Sequence, residues 1–198
     1  CMCPGGQVLN ASSEAGGVNV NGMSHHARSG RNANAAVLVT VQPKDFPYPG
    51  ALGGVLWQRE IEEKAYRLSG SYQAPAQLFG DFLEGRASTG PGEVRPTYLP
   101  GVHWCDLHEV LPKCITDNLK KGITDMDRKL KGFASADAVL TGPETRSSSP
   151  VRIVRDENKQ SRLAGLYPAG EGAGYAGGIM SAAVDGMEAA EAVLSAIK

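Results

Sequence analysis

Gly165-Leu166-Tyr167-Pro168-Ala169-Gly170-Glu171-Gly172-Ala173-Gly174-Tyr175-Ala176-Gly177-Gly178-Ile179 is the segment around which the rest of the chain falls into place. It predicts a short buried strand over 166–169, an acidic turn at Gly170-Glu171, a glycine-rich bend, and a helix start. Beyond it Met180, Ala183, Val184, Met187, Ala190, Leu194 and Ile197 recur at helical spacing, so one face stays apolar for about five turns. An acid followed by glycines at a helix start suits a ligand with both hydroxyl and anionic groups. Glycines let the backbone approach closely, and first-turn N–H groups point at whatever sits there. The alternative is that these glycines only permit close helix–sheet packing.

Working outward, the 198 residues carry 20 Lys+Arg against 21 Asp+Glu, so no basic footprint for nucleic acid or an anionic membrane is present. Nothing approaches the roughly 18–20 apolar residues of a membrane span, and the start has no basic-then-apolar signal pattern. The expected address is the cytoplasm. The opening Cys1-Met2-Cys3-Pro4 leads into a turn at Gly5-Gly6, which suggests a fragment of a longer protein. Four cysteines are too sparse for a disulfide scaffold and read as thiols.

In chain order, 7–10 and 18–21 between glycine turns predict a hairpin. A polar loop with His25, His26, Arg28 and Arg31 follows, and the β-branched run 36–41 (AVLVTV) is the strongest strand signal in the chain. A helix is expected over 52–68, with Leu56, Ile61, Ala65 and Leu68 on one face. A second is expected over 75–83, opened by Pro75 and closed by Gly85. Residues 87–100 read as extended. Helical signals return over 106–111, 112–121 and 124–130, with Gly122 and Gly132 as stops. Strands are expected at 138–141 and 151–154. The chain therefore reads as α/β (α+β): a β-rich start (1–41), a mostly helical insert (42–133) and an α/β finish (134–198).

Leu140-Thr141-Gly142-Pro143-Glu144-Thr145-Arg146-Ser147-Ser148-Ser149-Pro150-Val151-Arg152-Ile153 and the glycine segment together resemble the C-terminal part of FAD-dependent oxidoreductases. More narrowly they are similar to a bacterial group described as NAD(FAD)-utilising dehydrogenases, as are Cys1-Met2-Cys3-Pro4-Gly5-Gly6, Asn21-Gly22-Met23-Ser24 and 75–85. The resemblance implies the C-terminal part of a two-part FAD-binding domain. Gly170, Glu171 and Gly172 would meet the ribityl or pyrophosphate region. Gly174, Tyr175, Ala176, Gly177, Gly178 and Ile179 would approach the pyrimidine edge of the ring, where a helix dipole favours the anionic reduced flavin. Arg146 would contact the ring edge or an anionic substrate; its bland alternative is a solvated Ser/Thr turn. NAD or NADP is the implied co-substrate, acting with an unidentified small molecule.

The family's strand–GxGxxG–helix unit is not found in these residues. Gly172-Ala173-Gly174-Tyr175-Ala176-Gly177 spells the pattern, but it lacks the second strand and ribose-binding acid expected about 20 residues on. An N-terminal part of a longer chain is therefore expected to complete the FAD site, and this chain alone should bind FAD poorly. No catalytic acid or base is assigned. Cys1 and Cys3 form C-x-C rather than C-x-x-C and read as inert neighbours of the cofactor. Cys105, His108 and Cys114 lack a fourth ligand and read as packing rather than metal-binding residues. The rival functions are a flavin reaction without NAD(P)H and a catalytically silent binding protein of the same fold.

Overall fold

A computed structural model describes residues 4–197. Its elements are mixed helices and short strands, an α+β fold. Strands β1 (Gly6–Asn10) and β2 (Val20–Ser24) form the expected hairpin, antiparallel with Gly6 opposite Ser24 and Asn10 opposite Val20. Ahead of β1 the backbone of Gly5, at φ +74°, meets the loop before residue 31 without room for a side chain. A Cβ there would lie 2.4 Å from the Arg28 carbonyl carbon, and one on Gly30 would lie 2.4 Å from the Gly5 carbonyl oxygen.

Helix α1 (Gly53–Ser69) matches the expected amphipathic segment, but Trp57 and Glu62 join Ile61 and Ala65 on its buried face while Leu56 is exposed. Residues 75–83 are not one helix. Ala74–Leu78 is β3, the middle strand of a three-stranded sheet, and only Phe79–Glu84 is helical (α2). Pro75 lacks a ladder N–H, yet its carbonyl still accepts the Gly142 amide at 3.1 Å, so the strand tolerates it. Strand β4 (Val102–Trp104), which the periodicity did not reveal, runs parallel to β3, and β5 (Val139–Thr141) runs antiparallel on its other side.

Gly122 does not stop a helix. Helix α3 (Lys113–Asp127) runs through it because Thr116 and Ile123 anchor the buried face on both sides. Phe79, Phe82, Cys105, Leu107 and Ile123 form the core under this sheet. Two further expected strands do not form: among the described residues 36–41 and 151–154 pair in no ladder. Helix α4 (Ile179–Ala196) begins where the glycine bend predicts.

The chain divides into two compact units, residues 1–42 with 58–145, and 43–57 with 146–198. The first unit draws on all three segments set out from the sequence. The first turns of α1 group with the second unit and the rest of that helix with the first. Among the described residues no helix is long and apolar enough to cross a membrane.

Candidate functional site

The glycine segment lies wholly in the second unit and is held by groups the sequence pattern did not single out. Residues 166–169 form no strand: the Leu166 amide donates to the Leu163 carbonyl and its own carbonyl accepts from Ser161, so both are spent in local turns. Leu166 is exposed rather than buried. The chain then turns at Gly170, whose φ of +74° is a left-handed conformation natural to glycine.

Asp185, on the inner face of α4, fixes this turn. Its carboxylate accepts the Gly170 amide at 2.8 Å and receives both terminal nitrogens of Arg155, at 3.1 and 2.5 Å. Arg155 also donates to the Pro168 carbonyl at 2.6 Å, and its guanidinium lies 3.7 Å from the centre of the Tyr175 ring. The two charged side chains are only 7% and 10% exposed, which makes a fully hydrogen-bonded pair essential to their burial. The bond from Arg155, helped by the Gly170 amide, holds the Asp185 carboxyl down at about 2.

A second set of bonds shapes the bend. Ser149 donates to the Gly172 carbonyl, Ile153 donates to the Ala173 carbonyl, and Arg152 donates to the Gly174 carbonyl. Gly174 is an obligate glycine, with φ +82° and a virtual Cβ 2.4 Å from the Val151 carbonyl oxygen. Tyr175 donates its hydroxyl hydrogen to the Ile153 carbonyl. By contrast, a Cβ on Gly172 or Gly177 would meet nothing within 4 Å. The bend is thus packed on one side and open on the other.

The open side leads into α4. Gly178 is its extended N-cap, and the Ser181 hydroxyl takes the Gly178 amide. No acid sits in the first turn, so the positive end of the helix is not neutralised from within. First-turn amides have no intrahelical acceptor, and Ile179 and Met180 are 79% and 76% exposed. Glu171 is exposed at the turn. Of the expected site residues, Glu171, Gly172, Gly177, Gly178 and Ile179 are exposed, whereas Gly170, Gly174, Tyr175 and Ala176 are half-buried, with Tyr175 turned to the packed side, and Ala173 is buried. Open glycines followed by first-turn amides, of which only that of Gly178 is taken by Ser181, fit one wall of a site for an anionic, hydroxyl-bearing cofactor.

Arg146 is an exposed residue at the start of the 146–153 connection that bonds to the bend. Two residues earlier, burial raises the Glu144 carboxyl above its ordinary value. A half-open groove of about 670 Å³ lies against the same connection, lined in part by Phe46, Tyr48, Pro150 and Arg152. Among the described residues no three His, Cys, Asp or Glu side chains gather as a metal would require. Cys105 is a core residue whose thiol burial pushes up to about 11, and His108 bonds Asp106 and stacks on Phe82. Cys1 and Cys3 lie outside the described residues.

Comparison with known proteins supplies the class. The chain belongs to the family described as FAD-dependent protein, C-terminal domain-like, which matches residues 1–147. That span takes in Arg146 but not the surface at 170–179. An uncharacterized protein of Clostridium beijerinckii is 52% identical over 196 residues, 98% of this chain. The chain spans 37% of the length of that relative.

Proposed function

We propose that the chain forms one wall of the flavin site in a cytoplasmic FAD-dependent oxidoreductase of the NAD(FAD)-utilising dehydrogenase kind. Membership of an FAD-dependent family and the open glycine cradle support this reading. Bound FAD supplies hydride chemistry at its N5, with NADH or NADPH as donor and a small molecule as substrate. Glu171 then meets the ribityl or pyrophosphate side. The amides of Gly177 and of the first turn beyond Gly178 would face the pyrimidine edge, where the helix dipole would stabilise developing negative charge by about 0.3–1 kcal/mol. Arg146 serves the ring edge or an anionic substrate, and the groove beside Arg152 offers aromatic and cationic surface to that substrate. The remainder of a longer polypeptide supplies the adenine side.

The observation that carries the reading is the emptiness around Gly172 and Gly177 beside an acid-free helix start. Purified longer polypeptide should release one flavin per chain on denaturation, and NADH or NADPH should bleach it in stopped flow. Colourless protein that takes up no added FAD sinks the reading. Bound flavin that no reductant bleaches leaves the cofactor site but removes the dehydrogenase.

A further inference from the structure

Residues 36–41 are an unfinished strand. Val37, Val39, Thr40 and Val41 are β-branched, and the sequence predicts β structure more strongly here than anywhere else in the chain. Val37 packs against the Phe79–Phe82 core and Val39 is half-buried, while Ala36, Leu38, Thr40 and Val41 are exposed. Over 37–40 that is the alternation of a strand with one face already seated, and it ends at Val41. Yet among the described residues no backbone amide or carbonyl of 36–41 makes a backbone hydrogen bond. A β-branched segment with one seated side and unbonded main chain has the makings of an open strand edge.

A second surface, in the other unit, is open in the same sense. The apolar face that the sequence predicts for α4 points outward, with Met180, Val184, Met187 and Leu194, and Ile197 at its C-cap, between 51% and 76% exposed. The inner face carries Asp185 and Ala189 instead. Five large exposed apolar side chains along one helix and its C-cap are of the kind that marks a covered surface.

We propose that the remainder of the longer polypeptide covers both surfaces, donating a β-strand that hydrogen-bonds along 36–41 and an apolar layer that packs on α4. Two observations favour this occupant over a second copy of the chain. The Clostridium relative aligns with 98% of this chain and yet has most of its length outside the aligned span. In addition, the two open surfaces differ in kind, one a strand edge and one a helix face, so self-pairing at 36–41 would not cover α4 with its own equivalent. The mode is strand addition, in which main-chain bonds give affinity and alternate side chains give register. The proposal rests on the reading that the chain works within a longer polypeptide, and does not require flavin.

The test uses that longer polypeptide. A photo-crosslinking residue replaces Leu38 in one variant and Met187 in another, both exposed here, and amide exchange is followed over 36–41. Cross-links from both positions to residues outside these 198, with exchange over 36–41 slowed at least 100-fold relative to free peptide, are the expected result. Cross-links between two chains, with exchange that slows as concentration rises, would make a second copy the occupant and overturn the proposal. Fast exchange without cross-links also overturns it. Colourless protein that gives the expected cross-links would sink the flavin reading and leave this one standing.

Discussion

Gly172 and Gly174 stand two residues apart and answer opposite questions. Gly174→Ala forces a side chain into a left-handed backbone against the Val151 carbonyl, so stability should fall by roughly 1–3 kcal/mol, read as a lower melting temperature. Gly172→Ala and Gly177→Ala meet open space and should leave melting within about 0.5 kcal/mol of the parent. If a cofactor fills that space, both variants of the longer polypeptide should retain flavin less well; unchanged flavin affinity would remove it from the cradle. Asp185→Asn breaks the bonded pair with Arg155 and should cost roughly 3–5 kcal/mol in the second unit, since an uncompensated guanidinium stays behind. Its carboxyl is depressed, so its contribution is complete above the ordinary carboxylate value of 3.8 and is lost as pH falls towards about 2. Acid melting of the parent over that range should therefore flatten in the variant. Glu144 has the opposite sign. Its raised carboxyl makes ionisation costly, so Glu144→Gln should stabilise at pH 7 and not at pH 4, by parallel melts. Cys105 should alkylate about 100-fold more slowly than exposed Cys114 at pH 8 in a background lacking Cys1 and Cys3, since burial disfavours its thiolate.

Elements written by a single segment were legible in the sequence, and those that need a partner were not. Helix α1 follows from its own periodicity, and the β1–β2 hairpin from apolar pairs flanked by glycines. The start of α4 follows from the glycines before it. A strand is a property of two segments, and the β-branched pattern at 36–41 states a preference without naming the neighbour. For the same reason 166–169 reads as a strand and ends in local turns. Pro75 sent the reading astray in the other way, because a proline that would open a helix also sits in a strand when its missing N–H is not needed. Within the site, the glycines were visible because their spacing is local. Arg155 and Asp185, 30 residues apart, were not, because ordinary charged residues give no signal until the fold joins them. The outward stripe of α4 offers a check at this scale. In the longer polypeptide Met187→Glu should lower stability by roughly 2–3 kcal/mol if the stripe is covered, and by under about 0.5 kcal/mol if it faces water.

For the whole molecule, a surface that forms one wall of a site predicts a large gap between part and whole. Titrated with FAD, this chain alone should bind at least 100-fold more weakly than the longer polypeptide, by flavin fluorescence quenching. Equal affinities would show that these residues suffice. The contact between Gly5 and Gly30 has a consequence for descent rather than for chemistry. Each glycine excludes a side chain from the other, and both sides of the contact are backbone that cannot swing away. Neither position can drift while its partner stays, and no single exchange elsewhere relieves the clash. Across relatives that differ at nearly half of their residues, as the Clostridium protein does, glycine should persist at both places together. A lineage that has lost one should have rebuilt the loop between β2 and residue 31.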